Sequence, residues 1–495
     1  MKLFNVEQIR AWDAFTIQHE PISSLDLMER AATAFIRHLF CSGMVESCRN
    51  IQVFCGMGNN GGDGLVISRL LQQAGFHPTV WIIRHSDHST PDFDINLSRY
   101  EHEGQVQWLS SADEVRIQPG DLLIDALLGS GLTRSVSGLL AEVIQKVNAS
   151  KATVISVDIA SGLFADQPNA TEDAIIEPTH TISFQIPKLA FLLPKNARFV
   201  GKWHCVDIGL SPQYAEQTPT SYYFTDAQAL PSLSDRESYS NKGTYGHALI
   251  IAGSYGKIGA AVLSSRACLR SGVGLLTVQI PACGYPILQT TTPEAMCLAD
   301  QAANYISELK DLSKYTALGI GPGLDKQPET LQVLKDFLGK VGNIPTVMDA
   351  DALNMLSENR ELLKILPTKA ILTPHPKEFE RLLGHSWKDD YEKLTYLMAF
   401  CQTHQVTVVL KGQHTVVASP DGEFHFNSTG NPGMATGGTG DILTGILTAL
   451  LAQGLEPKEA AILGVYRHGE AGDRAMARRG QIPLIASDLI EALRW

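Results

Sequence analysis

The stretch Asn431-Pro-Gly-Met-Ala-Thr-Gly-Gly-Thr-Gly-Asp-Ile-Leu-Thr-Gly445 puts backbone amides, a helix start and a carboxylate into one short segment. Five of its fifteen residues are glycine, which lets the main chain approach a ligand and adopt positive φ where side chains would clash. After Gly440 the pattern turns helical, with Ile442, Leu443, Ile446, Leu447 and Leu450 at helix spacing. A helix N-terminus behind a glycine loop is an anion site, because free N–H groups and the positive dipole end face the ligand. The expected guest is phosphate.

Asp441 needs a task of its own there, since bound phosphate repels a carboxylate. It could hold a metal or take a proton from a hydroxyl, or it could simply cap the helix dipole. The segment does not read Gly-x-x-x-x-Gly-Lys-Ser/Thr and so is not a P-loop. Gly438-Thr439-Gly440-Asp441 resembles the anion hole of the ribokinase-like small-molecule kinases.

The chain has 495 residues, which suggests two to four domains. Apolar residues make up 44% and charged residues 19%, enough to fill ordinary cores. A net charge of -12 argues against nucleic acid or an anionic membrane as the main partner. Residues 1–21 carry Glu7, Arg10, Asp13 and Glu20 and no apolar core of a signal peptide, so a cytoplasmic protein is expected. The run Ile442 to Ala452 is too short to span a bilayer and reads as a buried helix. Eight cysteines without Cys-x-x-Cys spacing read as buried, reduced thiols.

In the first half the spacing predicts a helix capped by Ser24, strands at 51–54, 79–83, 122–125, 154–157 and 181–184, a turn over 55–64 and a helix over 65–73. Alternating strands and helices imply a parallel, doubly wound sheet whose ligand site lies at the carboxyl ends of the strands. The loops there carry Asn59, Asn60, Gly61, Gly62 and Asp63, then Asp125 with Gly129, Ser130, Gly131, Leu132, Thr133, Arg134 and Ser135, then Asp158 with Ser161. They are expected to meet in one crevice, although Asn-Gly and Asp-Gly are also plain turn formers. Asn60, Asp125 and Ser161 offer only oxygen and could hold a hard cation, monovalent as readily as magnesium. Lys188 could enter the crevice or lie in solvent.

Apolar periodicity lapses from Ser211 to Lys242, broken by Tyr222-Tyr-Phe, which places a domain boundary near residue 225: one domain over 1–225, another over 226–495. The second domain is expected to have strands at 247–252, 275–279, 317–320, 346–348, 370–372 and 406–410. Its distinctive loops carry Gly323, Asp349 with Asp351, His375 between two prolines, and Lys411-Gly412-Gln413-His414-Thr415. Asp349 and Asp351 share a face only on an extended segment. Lys411 and the free amides beside it could meet phosphate.

Taken in order, Asn59 to Gly64, Gly129 to Ser135, Val157 to Gly162, Gly321-Pro-Gly323, Asp349 to Asn354, Thr373 to Glu378 and Asn431 to Asp441 resemble one known family over nearly the whole chain. It is the family of bifunctional NAD(P)H-hydrate repair enzymes, an N-terminal epimerase fused to an ADP-dependent dehydratase. The resemblance implies a Rossmann-like sheet followed by a ribokinase-like α/β domain, acting on NADHX and NADPHX. It implies that Asn59 to Asp63 and Gly129 to Ser135 hold the hydrate, that Asn60, Asp125 and Ser161 ligate potassium, and that Asp158 works beside the modified ring. In the second domain Ala260, Gly323, His375 and Asp441 would contact the S-hydrate, while Lys411 to Thr415 and Gly440 would hold ADP, with magnesium on the nucleotide. A fused chain favours ADP over ATP, and a homo-oligomer is expected. Two rivals stand beside this. A kinase of a hydroxymethyl vitamin precursor would share the second domain and leave the first unexplained, and a dinucleotide sensor would bind without turnover.

Overall fold

The computed structural model describes residues 1–46, 48–233 and 235–495. Packing divides the chain into two units: one is Lys2–Thr220 with Asp389–Tyr391, the other Met1 with Ser221–Lys388 and Glu392–Trp495.

The first unit is built on seven parallel strands. These are β1 (Ile51–Cys55), β2 (Thr79–Ile83), β3 (Val106–Leu109), β4 (Leu122–Ala126), β5 (Thr153–Val157), β6 (His180–Phe184) and β7 (Lys202–Val206), in the order β3-β2-β1-β4-β5-β6-β7. Every residue of β1 and β4 is buried, as expected of strands covered by helices on both faces. The order reverses between β1 and β4, and at such a switch point the connections leave toward opposite faces and open a crevice.

The second unit's sheet has ten strands. They are β8 (Tyr222–Thr225), β9 (His247–Ile251), β10 (Leu275–Ile280), β11 (Met296–Ala299), β12 (Ala317–Ile320), β13 (Thr346–Met348), β14 (Ala370–Leu372), β15 (Thr407–Leu410), β16 (Val416–Ala418) and β17 (Phe424–Asn427). Their order is β11-β10-β9-β12-β13-β14-β15-β16-β17-β8, with the switch point between β9 and β12. Pairing is parallel from β11 to β15, antiparallel for β15 with β16 and for β16 with β17, and parallel again at β8. The helix Thr439–Ala452 is buried along its whole length after Asp441, as its unbroken apolar run requires.

Several local expectations are corrected. The helix Asn59–Gln73 begins six residues early, so the Asn-Asn-Gly-Gly-Asp segment is a helical first turn and no loop. Gly61 is needed for closeness: a Cβ there would stand 1.9 Å from the Gly56 carbonyl oxygen. The helix Thr439–Ala452 likewise starts before Gly440, with Gly438 as cap at φ +95°, a conformation only glycine adopts freely. Ser23, not Ser24, caps the helix Ser24–Cys41, because its hydroxyl reaches the Asp26 amide. Strands β3, β7, β8, β11, β16 and β17 escaped the sequence reading; β16 and β17 are interior strands of only three and four residues. The other four are the sheet edges, and an edge strand lacks the continuous apolar run of a doubly covered one. All eight cysteines are free, but only Cys55, Cys268 and Cys401 are buried. No helix among the described residues is long and apolar enough to cross a membrane.

Candidate functional site

A cavity of about 1000 Å³ opens at the switch point of the first sheet. Asn59, Asn60 and Asp63 line it from the helix after β1, all of Gly129 to Ser135 from the loop after β4, Asp158 from the end of β5, and Lys188 from the segment after β6. Gly61 and Gly62 do not line it. Their Cα faces turn inward, where added Cβ atoms would strike Gly56 and the Met28 sulfur.

Asp158 is strained, with φ +67°, as is Gln185 beside the same cavity at +62°, a cost that survives only where the surroundings fix it. Around Asp158 they do. Its amide donates to the Ile182 carbonyl at 2.8 Å, and its Oδ1 accepts from Lys188 Nζ at 2.5 Å, the Phe184 amide at 3.0 Å and the Ser183 hydroxyl at 3.3 Å. Lys188 is 1% exposed, so the solvated alternative is excluded and its ammonium is committed to Asp158. Beneath them Asp125 accepts from the Ser156 hydroxyl at 2.7 Å, the Ser161 hydroxyl at 2.5 Å and the Ser161 amide at 2.9 Å. Burial raises its pKa while these hydrogen bonds pull it down. Asn60 is also buried, with its side-chain Nδ2 unpartnered, and it packs against Gly129.

Burial and the nearby Asp158 charge push Asp13 up to about 6, against the opposing pull of Lys188. Asp63 is also held well above the ordinary carboxylate range, by burial and then by Asp158, Asp13 and Asp92.

In the second unit the loops after β9, β12, β13, β14 and β15 converge on the start of the helix Thr439–Ala452. Lys411 Nζ lies 3.0 Å from Asp349 Oδ1 and 3.9 Å from Glu378 Oε2. The other oxygen of Asp349 accepts from the Thr444 hydroxyl at 2.9 Å. Gly440 stands against both partners: a Cβ there would lie 3.6 Å from Asp349 Oδ2 and from Lys411 Nζ. Burial lowers the Lys411 pKa, but Asp349 and Glu378 outweigh it and leave the ammonium more firmly protonated than usual.

The Asp441 carboxyl has no hydrogen-bond partner among the described residues. Burial, then Asp349, raise it to about 7, with Lys411 opposing and Asp351 adding to the rise. Asp349 and Asp351 thus both act on Asp441, although Ala350 at φ +48° turns the chain between them. Asp351 Oδ2 accepts from the Asp325 amide at 2.8 Å and lies 3.4 Å from Lys257 Nζ. Gly323 packs on Lys257 and Ala260, a Cβ there falling 3.1 Å from the Ala260 methyl. His375 caps the helix Pro376–Leu383, its Nδ1 accepting from the Lys377 and Glu378 amides. Burial lowers its pKa, so the ring is neutral with Nδ1 bare. Gly412 and Gln413 are exposed, the Gly412 amide donates to the Thr415 hydroxyl at 3.2 Å, and His414 Nδ1 lies 3.0 Å from the Asn427 carbonyl oxygen.

The two units correspond to two known sequence families. A model described as YjeF-related protein N-terminus matches residues 24–190, and one described as NAD(P)H-hydrate dehydratase matches residues 248–494. A bifunctional NAD(P)H-hydrate repair enzyme, Nnr, of Moorella thermoacetica is 36% identical over 515 residues, covering 100% of this chain and 96% of its own. The chain belongs to the bifunctional NAD(P)H-hydrate repair enzymes.

Another member, from Escherichia coli, is 35% identical over 478 residues, covering 95% of this chain and 88% of its own. A crystal structure described as ADP/ATP-dependent NAD(P)H-hydrate dehydratase from Bacillus subtilis, co-crystallised with ATP and Mg2+, is 34% identical. It covers 52% of this chain and 91% of its own, with a TM-score of 0.46.

Sequence reading passed over several residues that this repair enzyme brings to its sites. Asp13 sits in an ordinary amphipathic helix with no local motif. Glu378 and Thr444 reach the Asp349–Lys411 pair, and Lys257 reaches Asp351, only through folding. Asp473, far along the helix Pro457–Arg479, accepts from the Gly430 amide at 2.9 Å and from Asn431 Nδ2 at 2.8 Å, which fixes the loop leading to the glycine segment.

Proposed function

We propose that the chain interconverts the R and S hydrates of NADH and NADPH in its first unit, and in its second dehydrates the S hydrate to NAD(P)H at the expense of ADP, releasing AMP and phosphate. The full-length family match supports the pair of activities. The single observation carrying the assignment to residues is that each unit sets a carboxylate beside a lysine, Asp158 with Lys188 and Asp441 near Lys411.

Water added to a reduced nicotinamide leaves a hydroxyl on the ring carbon next to nitrogen. In the first unit Asn59, Asn60, Asp63 and the Gly129 to Ser135 loop hold the hydrate, and Asp158, ion-paired with Lys188, takes the hydroxyl proton as the ring opens. Asn60, Asp125 and Ser161 supply a buried all-oxygen set with one carboxylate. The unpartnered amide end of Asn60 presents its oxygen when the group is turned about its last bond. Such a set suits a hard, weakly charged cation such as potassium, which would fix the loops electrostatically.

In the second unit hydroxide is a poor leaving group and phosphate a good one. Asp441 accepts the hydroxyl proton while that oxygen attacks the terminal phosphoryl of ADP; phosphate then leaves and the neighbouring C–H loses its proton to restore the double bond. Ala260, Gly323 and His375 position the ring, and Lys411 to Thr415 with the Gly440 amide receive the phosphates. No group of three or more His, Cys, Asp or Glu suited to a metal occurs among the described residues, so magnesium would ride on the nucleotide phosphates, whose charge it neutralises. Free cysteines throughout support a reducing, cytoplasmic setting.

The test follows the return of reduced-nicotinamide absorbance from mixed R and S NADH hydrate with ADP, ATP or no nucleotide. Complete ADP-dependent recovery in wild type, stalling near the S fraction in Asp158→Ala and absent in Asp441→Ala, is expected. No recovery with either nucleotide would sink the reading and leave alcohol phosphorylation, the rival kinase, to be tried.

A further inference from the structure

Asp13 lines the cavity of the first unit, yet no step described above uses it. Its position is fixed from both sides. Trp12 Nε1 donates to the Ser211 carbonyl at 2.7 Å, and the Thr16 hydroxyl accepts from the Ser211 amide at 3.0 Å while donating to the Trp12 carbonyl at 2.9 Å. Trp12 is 4% exposed and Thr16 fully buried, so one helical turn is pinned with Asp13 on its cavity side. The Asp13 carboxyl has no hydrogen-bond partner among the described residues. A partly buried carboxyl group held on a pinned helical turn, with no protein partner, is free to meet a ligand in the cavity it lines.

Resting on the epimerase reading, the chemistry shows what is missing. Opening the ring breaks the bond between the hydroxyl-bearing carbon and nitrogen. The hydroxyl must lose a proton as its oxygen becomes a carbonyl, and the nitrogen, which keeps the electron pair of the broken bond, must gain one. One base and one acid are needed together. Asp158, bound to the Lys188 ammonium, suits the base.

We infer that Asp13 is the catalytic acid of epimerisation, donating its proton to the ring nitrogen as Asp158 accepts the hydroxyl proton. Rotation of the open-chain aldehyde exposes its other face. The nitrogen then attacks that face and returns its proton to Asp13, while the carbonyl oxygen recovers one from Asp158, so both groups end as they began.

The surroundings agree with this role. The titratable and charged groups lining the same cavity are Arg10 from its own helix, Asp63, Arg84, His85, Arg134, Asp158 and Lys188. Of these, Asp158 and Lys188 act on Asp13 most strongly, and after burial the Asp158 charge is what favours its protonated form. Asp63 also feels the Asp158 and Asp13 charges, and all three carboxyl groups line the one cavity with Lys188.

The test uses the full chain and measures enzyme-catalysed epimerisation of purified R hydrate, corrected for the spontaneous rate, beside dehydration of purified S hydrate. Asp13→Asn is expected to lower the kcat of epimerisation by about 100-fold or more with little change in KM, to leave dehydration intact, and to lose the fall in kcat/KM that wild type shows as pH rises through about 6. Asp13→Glu should recover part of the rate, which a merely structural role would not give. Epimerisation by Asp13→Asn within about threefold of wild type, or a loss seen instead in Asp63→Asn alone, overturns the assignment. A wild type that dehydrates the S hydrate but epimerises nothing overturns the epimerase reading and this proposal together.

Discussion

Lys188 Nζ stands 2.5 Å from Asp158 Oδ1, with the two side chains 2% and 13% exposed. Removing one member of so enclosed a pair leaves the other charge with little solvent to receive it. Lys188→Met is therefore expected to destabilise the first unit by about 3 kcal/mol and to slow epimerisation at least tenfold, as read by chemical denaturation and by conversion of R hydrate. Lys188→Arg should not restore the rate, because a guanidinium needs more room than a site 1% exposed provides.

Asp441 carries the clearest pH signature. As the base of the dehydration it must be ionised, so the rate should fall as pH drops below about 7. Stability runs the other way. The folded state holds this proton more tightly than the unfolded chain, so stability decreases as pH climbs from about 4 to 7, and the cost is fully present above that. Asp441→Asn should abolish dehydration and spare epimerisation. It should also stabilise the second unit at pH 8 by roughly 1 to 3 kcal/mol, a gain that vanishes toward pH 4. Thermal melts at the two pH values measure it.

Lys411 lies between Asp349 and Glu378 and beside Gly440. Lys411→Ala is expected to raise the KM for ADP about tenfold or more, a loss comparable to one charge-assisted contact. The KM for the S hydrate should change less. Steady-state kinetics with each substrate varied in turn separates the two, and an equal rise in both would remove Lys411 from the phosphates.

Potassium dependence should belong to one activity only. Replacing potassium by a large organic cation at constant ionic strength is expected to slow epimerisation severalfold and leave dehydration unchanged. Asn60→Ala should weaken the response to added potassium, read as the concentration giving half-maximal rate.

Gly61 tests the first turn of the helix Asn59–Gln73. A methyl group there would sit 1.9 Å from the Gly56 carbonyl oxygen, so Gly61→Ala must push the helix off β1. A loss of about 2 kcal/mol or more is expected in urea unfolding of the first unit, with epimerisation falling alongside it because Asn59, Asn60 and Asp63 move with the turn.

Local patterning made most of the parallel sheets legible. Strands such as Ala317–Ile320, Thr346–Met348 and Ala370–Leu372 are fully buried, and a strand covered on both faces must be continuously apolar, which one sequence displays. Glycine-rich junctions after these strands are visible for the same reason: close backbone approach excludes side chains. The sequence by itself therefore determined the α/β class and marked the loops after the strands, with Asp158 and Asp441 among them, as the candidate sites. It could not determine which of the flagged residues turn inward, as Gly61 and Gly62 do, since one helical turn sends neighbours in different directions. Nor could it reveal Asp13 in the same cavity as Asp158, the burial of Lys188, or the pairing of Asp349 with Lys411, 62 residues apart in the chain. Those arrangements, and the raised pKa values that follow from them, depend on distance and desolvation. Only tertiary structure sets either one.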